Sequence, residues 1–197
     1  MASVEKLGVR EAKRLATRER LFEVAVAEFK RSGMAEADVG AIVAEAGVAR
    51  GTFFHHFPTK EHVVAELGQR EEARMGKELA RYLAKPHELA DTLVEVTRMS
   101  VALERRLGTV LFKDMLALFF LPGRPALEVW TDHPVIDAVI AEFERARDGI
   151  DDEVDPDNLA MFFLLGLYGL LIVNDRNASR AGVLEQFMTT VLRGLGV

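Results

Sequence analysis

The chain has 197 residues, 49% of them hydrophobic and 28% charged, which is enough apolar material for one or two compact domains and too much for a disordered chain. It contains no cysteine, which excludes disulfide scaffolds, thiol enzymes and thiolate metal sites. The formal net charge is −6, yet residues 1–60 carry 10 Lys/Arg against 8 Asp/Glu, and the first twenty carry 6 against 3. An acidic body with a basic end fits one polyanion-facing surface on a protein that otherwise repels nucleic acid. Lys6, Arg10, Lys13 and Arg14 have no apolar run beside them, so the N-terminus does not read as a secretory signal, and a cytoplasmic location is expected.

Nearly every segment has helical periodicity, and none alternates as a strand does. Thr17 is expected to cap a first helix with the stripe Phe22, Ala25, Val26 and Phe29, ended at Gly33. Asp38 caps a short helix carrying Val39, Ile42 and Val43, stopped at Gly47. Val48 and Ala49 open another short helix through Phe57, which Pro58 stops. Thr59 caps a long helix from Lys60 to about Leu83, with the stripe Val64, Leu67, Met75, Leu79 and Tyr82. Its face turns charged between Leu67 and Met75, as a helix crossing between two cores would.

Pro86 suits the first turn of a helix with Leu89, Leu93, Val96 and Val101. Gly108 breaks the chain, and Thr109 caps Val110 to Leu121 before the Pro122-Gly123 stop; residues 123–133 read as irregular. Pro134 starts a helix with Ile136, Val139, Ile140 and Phe143, and the acidic stretch Asp148 to Asp157 reads as a loop. Asp155-Pro156 caps the apolar run Leu159 to Val173, whose fifteen residues, two of them glycine, fall short of the roughly 20 of a membrane span and read as a buried core helix. Asn177 or Ser179 opens a last helix with Val183, Leu184, Phe187, Met188, Val191 and Leu192. The expected fold is all-α with about nine helices. It divides into residues 1–60 and 61–197, with the boundary inside the long helix.

The two short helices joined by Glu45-Ala46-Gly47-Val48 read as a helix-turn-helix. Gly47 allows the positive φ of a sharp turn, and Val48 plugs it from below. The second helix carries Arg50, Thr52, His55 and His56, too polar to be core only, and fits a major groove of about 12 Å. Phe29-Lys30-Arg31-Ser32-Gly33, Ile42 to Val48 and Gly51-Thr52-Phe53-Phe54-His55-His56-Phe57-Pro58-Thr59-Lys60-Glu61 together resemble the DNA-binding domain of TetR-type transcriptional regulators, over roughly Thr17 to Leu67. The resemblance implies a homodimeric regulator, a repressor in preference to an activator. Its partners would be double-stranded operator DNA and a small-molecule effector, with no cofactor and no membrane.

The DNA-binding set so implied is Thr17, Arg18, Arg50, Gly51, Thr52, Phe54, His55, His56 and Lys60, with Lys60 on a phosphate. The chain departs from the family pattern at Phe54, which cannot donate a hydrogen bond, and at Ala37-Asp38, where the family usually has phosphate-binding threonines. Two alternatives stay open: a small-molecule carrier with a degenerate helix-turn-helix, and a helical enzyme using an apolar pocket.

His55 and His56 are adjacent on a helix and point about 100° apart, so they do not chelate a metal. The acidic loop lacks the glycine and closing glutamate of a calcium loop. His87-Glu88 and Asp132-His133 read as helix caps. The C-terminal part is rich in adaptable apolar groups. Met99, Phe112, Met115, Phe119, Trp130, Phe143, Phe162 and Tyr168 are candidate ligand contacts, with Thr97, Arg98 and Asn174 as further polar handles beside Tyr168. The dimer is expected through the last two helices, Leu159–Val173 and Val183–Leu195. Gly166 and Gly169 would leave a groove for a partner helix.

Overall fold

The structure is a computed structural model, and it describes residues 8–119, 132–147, 155–173 and 179–195. Among the described residues there are nine helices and no strand: α1 (Val9–Ser32), α2 (Val39–Glu45), α3 (Arg50–His56), α4 (Lys60–Leu83), α5 (Leu89–Leu107), α6 (Thr109–Phe119), α7 (Pro134–Arg145), α8 (Pro156–Val173) and α9 (Ser179–Leu195). Residues 120–131 and 148–154, where the irregular segment and most of the acidic loop were expected, lie outside the described residues.

Most of the expected starts and stops hold, for local reasons. The Asp38 carboxylate accepts the Gly40 N–H at 2.7 Å and caps α2. Gly47 takes φ +64°, and Val48 N–H closes the turn on Val43 O at 3.0 Å. Pro134 opens α7, and the Asp155 carboxylate accepts from Asp157 N–H at the start of α8.

Four expected caps differ. Helix α1 begins at Val9, not at Thr17, because residues 9–16 are mostly good helix formers; Thr17 sits mid-helix and its hydroxyl donates back to Lys13 O at 2.9 Å. Thr59 is the N-cap of α4 by position, but its hydroxyl pairs with His62 Nδ1 at 2.9 Å. Helix α5 starts at Leu89, beyond Pro86, because Glu88 and Asp91 form a reciprocal capping box. Thr109 is the first residue of α6, preceded by Gly108 at φ +79°.

Leu21, Phe22, Ala25 and Phe29 of α1 pack with Ile42, Val43, Phe53, Phe57, Val63 and Val64 into an N-terminal core. The buried residues continue along α4 through Leu67, Met75 and Leu79 into a bundle with α5–α9. Helix α4 therefore belongs to both cores. Helix α8 passes as a membrane span on length and composition. It is only half of the expected core helix: Ala160, Phe163, Leu164, Leu167 and Leu171 are buried, while Met161, Phe162, Leu165 and Val173 are exposed.

Candidate nucleic-acid interface and the cavity behind it

Helix α3 is fixed by its aromatic residues. Phe53 and Phe57 are fully buried, with ring centroids 5.9 Å apart, and Phe57 also meets Phe22 at 6.4 Å. That anchorage turns Arg50, Gly51, Phe54 and His55 outward, with Thr52 and His56 half-buried. Phe54 is 42% exposed and stands edge-on to Phe53 at 5.3 Å. A rigid helix with a small backbone start and a protruding guanidinium can enter a groove and give guanine two hydrogen bonds. His56 packs edge-on to His55 at 5.3 Å. Its imidazole is held below the usual range, first by burial and then by the charges of His55, Arg14 and Arg18.

Three expected DNA contacts serve the protein itself. Arg18 pairs with Glu66 and lies 4.6 Å over the Phe57 ring, so it fastens α1 to α4. Arg70 completes that clamp: it bridges Glu19 and Glu66 and stacks 3.9 Å over Phe22. The Lys60 ammonium donates to Ala35 O at 2.7 Å and Ala37 O at 3.3 Å, which fixes the α1–α2 turn. Thr17 spends its hydroxyl on the α1 backbone.

Behind this domain, α4, α6, α7 and α8 enclose a cavity of about 310 Å³ lined by Glu72, Leu116, Ile136, Met161, Leu164, Leu165 and Tyr168. Of the expected ligand contacts, Tyr168 lines it, and Phe112 and Met115 border a narrow crevice that shares Glu72, Leu116 and Tyr168 with it. Met99 and Phe143 are core residues, 3% and 1% exposed. Phe162 is 67% exposed and, with Phe143, lines a separate groove between α8 and α9 instead of this cavity. Trp130 and Asn174 lie outside the described residues, as does the side chain of Phe119. Arg98 is exposed and paired with Glu95 and Glu78, and Thr97 bonds Leu93 O, so neither is a handle in this cavity.

Glu72 was missed. It lies on the α4 stripe of Gly68, Met75 and Leu79, and a carboxylate at i+4 and i−3 of an apolar stripe was the available signal. Its Oε1 accepts Val135 N–H at 3.1 Å at the start of α7, and burial pushes its pKa up to about 7. Burial likewise holds the Tyr168 phenol above its ordinary range. The expected close approach at Gly166 is real but intramolecular: a Cβ there would come within 2.7 Å of the Phe187 ring of α9, which stacks on Phe163 at 6.0 Å. Gly169 faces open space. His87 bridges to Glu142 of α7 at 2.9 Å instead of capping, whereas Glu88 does cap.

Residues 21–67 match the profile of bacterial regulatory proteins of the tetR family. The chain is 32% identical over 95 residues to the HTH-type transcriptional regulator AcrR of Shigella flexneri, a match covering 46% of this chain and 44% of that protein. It is 25% identical to an HTH-type transcriptional regulator of Mycobacterium tuberculosis over 98% of this chain and 92% of that one. The crystal structure of Thermus thermophilus FadR, a TetR-family transcriptional repressor in complex with lauroyl-CoA, superposes with a TM-score of 0.69 at 22% identity, covering 90% of this chain and 94% of that one.

Proposed function

We propose that this chain, a TetR-type transcriptional regulator in its DNA-binding domain and fold, is a homodimeric repressor that leaves its operator when an apolar or amphipathic small molecule fills the cavity between α4, α6, α7 and α8. The observation that carries the reading is the anchorage of α3 by Phe53 and Phe57, which turns Arg50 and His55 outward with Thr52 half-buried beside them. Thermus FadR, described as a repressor with a bound acyl-CoA, supports the same division between reader and sensor.

The two parts touch at two places. Helix α4 runs from Lys60 to Leu83, about 36 Å at 1.5 Å per residue, and passes the cavity at Glu72. Helix α6 contributes Leu116 to the cavity. Two residues earlier its Asp114 accepts Met34 N–H at 2.7 Å, while Val110 lies against Gly33. A ligand that displaces Leu116 therefore moves α6 against the base of the helix-turn-helix as well as tilting α4. Linkage requires it to bind the DNA-incompetent arrangement more tightly, by typically 1–3 kcal/mol of coupling.

The partner copy is assigned to the outer face of α8 and α9. Phe162 and Val173 are the strongly exposed apolar residues of that face, and a monomer leaves them in water. A two-fold dimer would set the α3 helices about 34–36 Å apart, or a small multiple of that. A mobility-shift assay with DNA from around the protein's own gene tests the reading: a saturable complex resistant to non-specific competitor is expected, and no complex above competitor would refute it.

A further inference from the structure

Glu72 is an unusual group to find on the wall of an apolar cavity. Five of the seven lining residues are aliphatic or thioether side chains; the polar ones are Glu72 and Tyr168, and among the described lining residues none is Lys or Arg. The carboxyl is held in place from outside the cavity. Val135 N–H donates to Oε1 at 3.1 Å and the Ile136 N–H lies close by, so Glu72 of α4 does for α7 what a side-chain cap at His133 does not. Even with both backbone N–H groups bound, about two of the roughly four lone-pair positions of a carboxylate stay open as acceptors towards the cavity. The neighbouring Tyr168 phenol stays protonated through burial and lies beside Ser100. The groups that act on Glu72 are Asp137 of α7 and Tyr168 of α8, and α6 brings the uncharged Leu116. The polar end of the cavity thus offers a hydrogen-bond acceptor in a negative surrounding, with no Lys or Arg among the described lining residues to receive an anion.

Building on the effector reading above, we propose that this cavity takes a neutral or cationic amphiphile whose hydroxyl or amine donates a hydrogen bond to Glu72, and that it rejects a ligand presenting a carboxylate or phosphate there. A donor fills the open acceptor positions and relieves the buried carboxylate of its missing water. An anion at the same place would add like-charge repulsion to a second desolvation. The Leu116, Ile136 and Leu164 walls receive the apolar part.

Decylamine, decanol and decanoate share one chain and differ in head group, so they separate this inference from simple hydrophobic capture. Calorimetric titration of the intact protein at pH 8 is expected to give binding of the amine and the alcohol, and binding of decanoate at least about tenfold weaker. Burial sets Glu72 to release its proton at about 7, and the amine stays an ammonium across this range. Decylamine should therefore bind about tenfold more tightly at pH 8 than at pH 6. The alcohol should change little. E72Q should flatten the amine's pH response and narrow the gap to decanoate. Decanoate binding as tightly as the amine at pH 8, or an amine affinity indifferent to pH in the wild-type protein, would overturn the inference. Operator binding followed in parallel distinguishes the two readings. If the amine binds with the stated preference yet leaves operator affinity unchanged, the effector reading fails and the head-group assignment stands. If decanoate binds equally and releases the operator, the assignment fails and the effector reading stands.

Discussion

Arg50 stands at the first position of α3, is exposed, and makes no ion pair among the described residues. Arg18 lies on the neighbouring helix but is committed to Glu66 and Phe57. Of two chemically identical arginines, one is exposed and the other holds α1 to α4, and only the fold distinguishes them. Arg50→Ala should cost about 1–3 kcal/mol of operator affinity with unchanged thermal stability, read by fluorescence anisotropy beside a melting curve. Lys60→Ala should lower stability by about 1 kcal/mol, because two backbone carbonyls lose their charged donor. A phosphate contact alone would change affinity and its salt slope without moving the melt. Glu72 gives a pH signature. The unfolded chain releases this proton near the ordinary glutamate value of 4.5 and the folded chain near 7, so the folded state holds more protons between those values. Stability should fall as pH rises across that window, by up to about 3 kcal/mol, and E72Q should abolish the slope. Denaturant titrations at pH 5 and pH 8 measure it.

At the scale of elements, punctuation in the sequence was the reliable guide. Asp38, Gly47, Pro58, Gly108 and Pro134 each act through the backbone of their own segment, and the boundaries they imply stand. The failures share a cause. Thr17, Thr59 and Pro86 are residues that can cap a helix, and whether they do depends on what competes. Good helix formers precede Thr17, His62 takes the Thr59 hydroxyl, and the Glu88–Asp91 box outbids Pro86. The α8–α9 contact illustrates what a single chain pattern leaves open. Periodicity shows that Gly166 permits close approach but not which helix approaches, and it is Phe187 of the same chain. Gly166→Ala should therefore destabilise the folded protomer by about 1–3 kcal/mol, since the Phe187 ring is stacked against Phe163 and has little room to retreat. Gly169→Ala meets open space within the chain and should leave the protomer's denaturation midpoint unchanged or raised.

At the scale of the molecule, the helix-turn-helix was legible because its chemistry is contiguous, from Ile42 to Glu61. The cavity was not, because its lining comes from four helices more than ninety residues apart, Glu72 to Tyr168. The apolar residues that do line it, such as Leu116 and Leu164, are indistinguishable in sequence from Met99, which fills the core. The exposed face of α8 carries the remaining expectation about assembly. Phe162→Glu should convert a dimer to a monomer by sedimentation velocity with the protomer still folded, because that side chain is 67% exposed at the rim of the α8–α9 groove. Dimerisation and operator reading meet in one experiment. A footprint on DNA from around the gene, with wild-type protein and R50A, should give a two-fold symmetric protected segment whose half-sites lie about one helical turn, or a small multiple, apart. R50A should lose that protection at concentrations where the wild type is saturated. A single unpaired patch of protection, or a footprint that R50A reproduces at equal concentration, would contradict the account.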